Sequence, residues 1–460
     1  MNSKTLSPRR WILLPIDVKV RELYAKVLLS CVAAEKGWGA IIGPKGVITN
    51  KSELLPCGVH IEKGIQKGKI NEIKRVKATG SSASAWCEEG LIYWGKDDYF
   101  QRRLDIQSFD AIEYFFAWGE HQARDMCDVL HRPHEKIILS GNPRFDLLRP
   151  EFRGIFSQKA KDIQSKYGKI ILVNTKFAFI NNVEIKDYNQ WLITHGKTKT
   201  PEQELLIKKA IDFQKRMFDR FLQIIPVLSK TFPDYVIIIR PHPAENHAPW
   251  QRFEQDLPNV KVVFEGNSNE WILASDAMIH NNCTTGVEAF MLDKPAISFN
   301  PFSDVDIDHP LPNMVSFTAS DEESLIKLVR DVLQKKSYLN FEHDKQIQFA
   351  SEYIANINGK LACDHIMDTL DKTNMPTVCA VFPIQSAYKT AFLEIASKIK
   401  FCITSKILNP PSKQQKTIQI FSGLDYHEVQ KILVQLQQAT GRFTRVKIVQ
   451  VDEDTYCFYC

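Results

Sequence analysis

The stretch Tyr235-Val-Ile-Ile-Ile-Arg240-Pro-His242-Pro243 joins a run of apolar residues to a histidine held between two prolines. A short apolar run bounded by turn residues is typical of a strand buried inside a parallel sheet. Open α/β sheets bind ligands at the carboxyl ends of their strands, and His242 lies just beyond this end. The prolines restrict the backbone about His242, while Arg240 offers a planar donor fork to phosphate. We therefore predict a phosphate site here; the alternative is a strand-ending turn with a surface histidine.

A second polar stretch, His280-Asn-Asn-Cys-Thr-Thr-Gly286, lies between an apolar strand and a predicted helix that contains Glu288. The hydroxyls of Thr284 and Thr285 and the free backbone N–H groups at the helix start would converge on an anion, which the helix dipole also favours. Helix capping by threonine is the alternative interpretation. The residues of the predicted donor site are Arg240, His242, Pro243, His280, Asn282, Thr284, Thr285 and Glu288.

A pair of carboxylates stands in the first half of the chain, where Glu88-Glu89-Gly90 precedes the apolar Leu91-Ile-Tyr93. Such carboxylates could face the donor across a cleft. A carboxylate with a raised pKa can remove the proton from an acceptor hydroxyl, which sugar transfer requires. An exposed turn is the alternative interpretation of the same residues.

Apolar strands and amphipathic helices alternate along both halves of the chain, which predicts a parallel sheet in each half. The predicted strands of the first half cover 11–15, 40–43, 91–93, 111–117 and 137–140, with helices over 18–36 and 120–130. Those of the second half cover 169–174, 235–240, 260–264, 277–280 and 295–299, with a long helix over 201–232. We predict a Rossmann-like acceptor domain over 1–150, a Rossmann-like donor domain over 165–375 and a small α/β appendage over 376–460.

The composition is ordinary for a soluble globular protein and does not favour a disordered chain. With 460 residues, of which 44% are hydrophobic, the chain is long enough for two or three globular domains. No apolar run reaches the roughly 20 residues that span a bilayer, and the start MNSKTLSPRRWILLPID has too short an apolar stretch for a secretory signal. We therefore expect the protein in the cytoplasm. The net charge of +5 is mild, and the basic residues within 63–77 are interpreted as a solvated face rather than a phosphate-binding or membrane-binding patch.

Two groups of residues are of the types that bind metal ions, but we interpret neither as a metal site. Asp304, Asp306 and Asp308 alternate on a short loop, where such side chains often face solvent. The segment Cys457-Phe-Tyr-Cys460 has the spacing of a zinc or redox pair but lacks a second pair, which favours an ordinary reduced terminus. We therefore expect a site that works without a metal.

Three short elements, in this order, resemble those of the bacterial sialyltransferases and the capsule Kdo transferases. Those families carry an acidic-acidic-Gly motif, a His-Pro motif and a Ser/Thr pair, and the similar elements here are Glu88-Glu89-Gly90, His242-Pro243 and Thr284-Thr285. The wider pattern, from the first strand to roughly residue 375, is also similar to the bacterial surface carbohydrate biosynthesis proteins.

The resemblance implies a GT-B glycosyltransferase that needs neither metal nor cofactor. It would transfer a sugar acid of the sialic, legionaminic, pseudaminic or Kdo type from a CMP-activated donor to a lipopolysaccharide or capsule glycan. His242 would bind the CMP phosphate with support from the threonine pair, and Glu89, beside Glu88, would be the base. The implied partners are the CMP-sugar and a glycan or lipid-linked glycan, with peripheral association at the inner face of the cytoplasmic membrane and no nucleic acid.

Other functions remain open at this point. The Arg-x-His-Pro element and the hydroxyl pair before a helix also resemble the CDP-glycerol glycerophosphotransferases, from which Glu88-Glu89-Gly90 departs. A UDP-sugar 2-epimerase would share the architecture of two Rossmann-like domains. A protein of another class, a non-catalytic nucleotide-binding scaffold of a glycan assembly complex, would bind a nucleotide without turnover.

Overall fold

The computed structural model of the chain describes residues 10–131, 134–194, 200–336, 343–372, 421 and 423–460. Two sheets, each with helices between its strands, form the core of the molecule. The parts of the predicted appendage before residue 421, including its strand over 378–382 and its helix over 385–399, lie outside the described residues.

The first sheet has a parallel body and an antiparallel edge. Its strands run in the order β13-β14-β2-β1-β3-β4-β5-β6, and the six from β2 to β6 are parallel. The strands are β1 (Trp11–Ile16), β2 (Gly39–Pro44), β3 (Val59–Glu62), β4 (Ser82–Trp86), β5 (Phe115–Ala117), β6 (Ile137–Leu139), β13 (Lys447–Asp452) and β14 (Thr455–Tyr459). The helices between the first six strands and after them are α1 (Lys19–Glu35), α2 (Lys45–Ile48), α3 (Lys69–Ala78), α4 (Lys96–Arg103), α5 (Ile106–Ala111), α6 (Glu120–Leu130), α7 (Pro143–Asp146) and α8 (Gly154–Tyr167), with a 3-10 turn over Ser52–Leu54.

The second sheet is wholly parallel, in the order β12-β11-β10-β7-β8-β9. This is the doubly wound order of a Rossmann fold, and its switch point lies between β7 and β10. The strands are β7 (Ile170–Asn174), β8 (Val236–Arg240), β9 (Val260–Val262), β10 (Ala277–His280), β11 (Ala296–Phe299) and β12 (Phe317–Ala319). The helices are α9 (Tyr188–Thr194), α10 (Pro201–Thr231), α11 (Ala248–Asp256), α12 (Ser268–Ala274), α13 (Thr284–Met291), α14 (Pro310–Met314) and α15 (Glu322–Leu333).

The chain returns to the first half after the second sheet. Helices α16 (His343–Tyr353) and α17 (Ala362–Asp371) pack against α6 and α7. The buried carboxylate of Asp146 accepts hydrogen bonds from the N–H groups of Ala362 and Cys363, both at 2.9 Å. The structure therefore differs from the predicted donor domain over 165–375, because α17 packs on α7 and α1 of the first half and α16 bridges α6 of the first half and α14 of the second.

The described part of the predicted appendage is the edge of the first sheet. Helix α18 (Tyr426–Thr440) packs against α1 and α8, and β14 pairs with β2 in antiparallel fashion. Arg442 adds an ion pair to Glu35 at the end of α1, at 2.8 Å. The structure thus differs from a separate appendage over 376–460, because β2 offers a free edge that the last strand pairs and covers.

One predicted strand is wrong, and an unpredicted strand stands next to it. Residues 91–93 form an irregular segment with a bend at 91 and 92, whereas β4 covers Ser-Ala-Ser-Ala-Trp at 82–86 with every residue buried. Small serine and alanine side chains let β4 lie in the middle of the sheet, but they give no apolar signal in the sequence. The prediction of two Rossmann-like sheets is confirmed.

Candidate functional site

The loops after four parallel strands form the two walls of one cleft. Glu88 and Glu89 follow β4 in the first sheet, while Lys176, His242 and Asn282 follow β7, β8 and β10 in the second. The charge of Glu89 affects the pKa of both His242 and Lys176. The structure therefore places Glu89 in the same cleft as the predicted phosphate site.

His242 is held as a neutral hydrogen-bond donor. Its Nδ1 accepts from the backbone N–H of Ala244 at 3.2 Å, which leaves the ring proton on Nε2. Burial in the cleft lowers the pKa of His242 to about 4, with Glu89 opposing that shift and Lys176 adding to it. Because part of the ring and the neighbouring Pro243 remain exposed, Nε2–H can donate to a phosphate oxygen without carrying a charge.

A buried carboxylate three residues later fixes the His242 loop. Glu245 is 2% exposed. Its donors are the backbone N–H groups of Phe177 and His242 at 2.8 and 3.1 Å, the Thr175 hydroxyl at 3.0 Å and the Trp250 indole at 3.2 Å. These bonds tie the loop after β7 to the loop after β8. Glu245 was not predicted as a site residue, although an acidic residue in the proline-rich turn after the His-Pro element is a signal that could have identified it.

The loop after β10 buries two side chains that the sequence predicted to bind the donor. His280 is fully buried, with Nε2 at 2.9 Å from the hydroxyl of Ser316. Burial lowers the pKa of His280 to about 3, so the ring is neutral. Asn282 is 9% exposed and donates from Nδ2 to Asp308 at 3.1 Å. The prediction is therefore corrected for His280, because this side chain packs under the loop after β10 and is not exposed to a ligand.

Helix α13 begins at Thr284, the first residue of the threonine pair, with Cys283 at its N-cap. Both threonines are half-buried, and the Thr285 hydroxyl lies 2.8 Å from the Sγ of Cys283. The helix approaches His280 closely at Gly286, where an added Cβ would lie 2.4 Å from Nε2. The first N–H groups of a helix carry partial positive charge and favour an anion. Anion binding at this end of α13 stays a prediction, which the position of the helix start allows.

Glu288 links the two halves of the molecule. Its carboxylate accepts from the guanidinium of Arg144 at 3.2 Å, across the cleft, and from the hydroxyl of Ser268 at 3.0 Å. Burial raises the pKa of Glu288, and the charge of Arg144 opposes this shift. In the predicted donor site, Glu288 therefore carries an interdomain ion pair.

The acidic pair Glu88 and Glu89 sits among cations. Glu88 is buried and accepts from the Trp86 indole at 2.9 Å. Glu89 is 46% exposed and bonds to the guanidinium of Arg21. Burial alone would raise the pKa of Glu89, but the charges of Arg21 and Arg103 outweigh it and leave that pKa below its ordinary value. Glu89 is therefore ionised at neutral pH, which differs from the raised pKa expected of a base.

Two cations of the cleft make no ion pair with any described residue. Arg103 is exposed at the end of α4, where its charge acts on Glu89. Lys176 donates to the backbone carbonyl of Asn282 at 3.3 Å, and burial lowers its pKa to about 8. Neither residue was predicted from the sequence, because neither belongs to a motif and only the fold brings them to the cleft.

The Arg240 side chain holds the loop before α12 in place through hydrogen bonds. Its two terminal nitrogens donate to the backbone carbonyls of Glu265 and Gly266, each at 2.6 Å. Burial lowers the pKa of Arg240 to about 10. The donor fork that was predicted to bind phosphate is thus occupied by the protein's own backbone.

The remaining charged features have partners within the protein. Lys209 pairs with Asp304 and Asp306 at 2.8 and 2.6 Å, and Asp308 accepts from Asn282. In the basic stretch, Lys69 pairs with the buried Glu62 at 2.8 Å. Within the ranges given above for the structure, no helix combines the length and apolar character needed to cross a bilayer.

Comparisons with known proteins show the fold. No protein-family model matches the chain, and no curated protein matches its sequence. The wall teichoic acid polymerase TagF aligns with a TM-score of 0.50 at 13% identity, over 81% of this chain and 90% of that one. The UDP-GlcNAc 2-epimerase of Methanocaldococcus jannaschii, solved with UDP-GlcNAc and UDP, aligns with a TM-score of 0.47 at 15% identity, over 79% of this chain and 100% of that one. The predicted GT-B fold is confirmed.

Proposed function

We propose that the protein is a glycosyltransferase that uses a CMP-activated sugar acid as donor and a surface glycan as acceptor. The observation that carries the proposal is the convergence of Lys176, the Nε2–H of His242 and the start of α13 on one side of the cleft, opposite Glu89. Lys176 favours an anion through its charge, His242 through its neutral N–H donor and α13 through the helix dipole.

The first of these groups supplies the charge for a donor phosphate. Lys176 makes no ion pair with a described residue and has a pKa of about 8, so it is mostly protonated at neutral pH. A phosphate that binds here needs to displace no carboxylate from the ammonium group. Threonine hydroxyls at 284 and 285 would add donors to the same anion.

Arg103 supports a donor that carries its own carboxylate. Its guanidinium is exposed beside Glu89 and pairs with no described carboxylate. Guanidinium groups bind carboxylates through two parallel hydrogen bonds. A sugar acid would bring such a carboxylate to the first sheet while its CMP lies against the second.

The proposed reaction moves one proton and one sugar. The acceptor hydroxyl gives its proton to the Glu89 carboxylate while its oxygen forms a bond to the anomeric carbon of the sugar. The bond from that carbon to the phosphate oxygen breaks, and its electron pair leaves with CMP. His242 and Lys176 stabilise the charge that develops on this phosphate. The lowered pKa keeps Glu89 in the ionised form that accepts a proton, although it also makes Glu89 a weaker base.

Thermal stabilisation by nucleotides tests the donor class, since a ligand that binds only the folded state raises the melting temperature. We expect CMP to stabilise the wild type, and His242→Ala to lose most of that shift. His247→Ala, in the same loop, is the matched control and should keep it. Stabilisation by CDP but not CMP would replace the proposal with glycerophosphotransfer, and stabilisation by UDP alone would favour an epimerase. No shift with any nucleotide would contradict nucleotide binding altogether.

The adjacent arginines 102 and 103 test the sugar acid. With CMP-N-acetylneuraminic acid as the probe, Arg103→Gln should lose most of the extra stabilisation that this donor gives over CMP. Arg102→Gln, the matched control, should keep it. If Arg103→Gln leaves the difference between the two ligands unchanged, the donor carboxylate does not bind at Arg103.

Transfer assayed with Glu89→Gln tests the base, because full activity in that variant would exclude Glu89 from the proton transfer.

A further inference from the structure

We infer that a cavity beside the cleft is the acceptor subsite and that it holds an uncharged sugar ring; the inference rests on the proposed transferase function. The cavity has a volume of about 410 Å³, within the range of roughly 300–1,000 Å³ that small-molecule sites occupy. Both halves of the molecule line it, through residues 91–96 and α6 on one side and residues 305–311 on the other.

The cavity adjoins the candidate catalytic residues on both sides. Leu91 and Ile92 in its wall directly follow Glu89 and Gly90 in the chain. On the opposite wall, Asp308 accepts from Asn282, whose carbonyl holds the Lys176 ammonium group. The cavity is therefore lined by the segment that directly follows Glu89, the side from which an acceptor hydroxyl must reach the proposed base.

Aromatic rings and carboxylates give the cavity the chemistry of a sugar site. The ring of His121 stacks on Tyr353 with centroids 4.3 Å apart and on Tyr93 with centroids 5.8 Å apart. The Tyr93 hydroxyl donates to Asp125 at 2.8 Å, which fixes the carboxylate in the wall. Ring surfaces pack against the C–H face of a pyranose, and ionised carboxylates accept hydrogen bonds from its hydroxyls.

The charge of the lining disfavours an anionic acceptor. Its ionisable groups are three carboxylates, Asp125, Asp306 and Asp308, one ammonium group, Lys96, and two histidines. Burial lowers the pKa of both His121 and His309, so the imidazoles add no positive charge at neutral pH. A phosphate or carboxylate on the acceptor residue would meet the carboxylates of Asp125 and Asp308, which neutral hydroxyls do not, whereas Lys209 compensates the charge of Asp306 at 2.6 Å.

Tyr353 in the wall of the cavity comes from a helix that follows the second sheet in the chain. It ends α16, the helix that returns from the second half and packs against α6. The site is therefore complete only when this crossing helix is docked. The wall at Val305, by contrast, is 93% exposed, so a larger side chain there can fill the mouth of the cavity without disturbing the fold.

Saturation-transfer NMR on the full chain tests the inference without any nucleotide. The probes are the methyl glycosides of glucose, galactose and N-acetylglucosamine, with glycerol 3-phosphate as the anionic probe, all at millimolar concentration. We expect signal from at least one glycoside, and we expect any signal from glycerol 3-phosphate to be unchanged by Val305→Trp, because it arises at the proposed phosphate site outside the cavity. Tyr353→Ala and Val305→Trp should each reduce the glycoside signal several-fold. Val449→Trp, an exposed valine on the edge strand β13, is the matched control and should leave it unchanged.

Three results would overturn the inference: no signal from any glycoside, a signal that Val305→Trp leaves unchanged, or binding of glycerol 3-phosphate that Val305→Trp abolishes. Val305→Trp keeps the test decisive if Tyr353→Ala does not fold. The nucleotide measurements stay separate, because Val305→Trp should retain the wild-type shift with CMP. Sugar binding without any nucleotide shift would sink the proposed transferase, whereas a CMP shift without sugar binding would sink the acceptor subsite alone.

Discussion

The two walls of the cleft hold their polar groups by opposite means. The first wall, formed by residues 17–26, 63 and 88–89, alternates cations with carboxylates; Lys26 bonds to Glu22 at 2.9 Å, and Arg21 bonds to Glu89. The second wall, formed by residues 174–177, 240–245 and 280–288, holds Glu245 and His280 through backbone N–H groups and hydroxyls rather than through cations.

The difference shows where an anion can bind without displacing a carboxylate from a cation. On the first wall, an incoming anion must compete with carboxylates that already hold the cations. On the second wall, Lys176 has no carboxylate partner among the described residues, and a buried charge without a partner destabilises the empty protein. The second wall is therefore less stable without a ligand than it would be with an uncharged residue at 176, but it can bind an anion.

The largest effect is expected at Glu245, which anchors the second wall. Glu245→Ala leaves four buried donors without their acceptor, and we expect the free energy of unfolding to fall by about 3–5 kcal/mol. The shift with CMP should disappear as well, because the His242 loop loses its anchor. Urea unfolding measures the first effect, with the exposed Asp256→Asn as the control. A loss below about 1 kcal/mol would mean that Glu245 does not hold the loop.

The ion pair between the walls comes next. Arg144→Leu leaves the Glu288 carboxylate buried and unpaired, and we expect a loss of about 2–3 kcal/mol at pH 8. The pKa of Glu288 is already raised by burial, so its carboxyl is protonated more readily as the pH falls. The loss should therefore be smaller at pH 5. Adding Glu288→Gln should recover most of the stability in a double-mutant cycle; no recovery would mean that the pair is not coupled.

Lys176→Met should stabilise the empty protein, by about 1–2 kcal/mol at pH 7. Burial lowers the pKa of Lys176 to about 8 from an ordinary value of 10.5, so the unfolded chain binds more protons between these values. The wild type should accordingly gain stability as the pH rises from 8 to 10.5, and the advantage of the variant should shrink over that window. Urea unfolding at pH 7 and 10 checks the sign, and the variant should also lose its shift with CMP. A less stable variant at pH 7 would contradict the contrast between the walls.

The smallest effect is expected outside both walls. Lys209 is 41% exposed where it pairs with Asp304 and Asp306, so solvent and salt screen the interaction. Lys209→Ala should leave the melting temperature unchanged within error, at low salt and at high salt. A clear loss at low salt would show that the loop at 304–308 needs this lysine.

Much of the fold was predictable because the decisive strands carry local signals. The apolar runs of β7, β8 and β10 end in polar residues, and all three strands lie within one residue of the predicted bounds. Helix α6 was predicted with the observed limits. In contrast, β4 is built of serine and alanine, whose burial comes from the neighbouring strands rather than from their own hydrophobicity.

The sequence by itself determined the two parallel sheets, the position of His242 after a buried strand and the helix that starts at the threonine pair. These follow from periodicity and turn residues, which act over a few neighbouring positions. Only the tertiary structure decided that Arg240 and His280 serve their own loops, that Lys176 and Arg103 reach the cleft, and that β14 completes the first sheet. The reason is that burial, ion pairing and strand pairing at a free edge join residues far apart in the chain, so no local pattern records them.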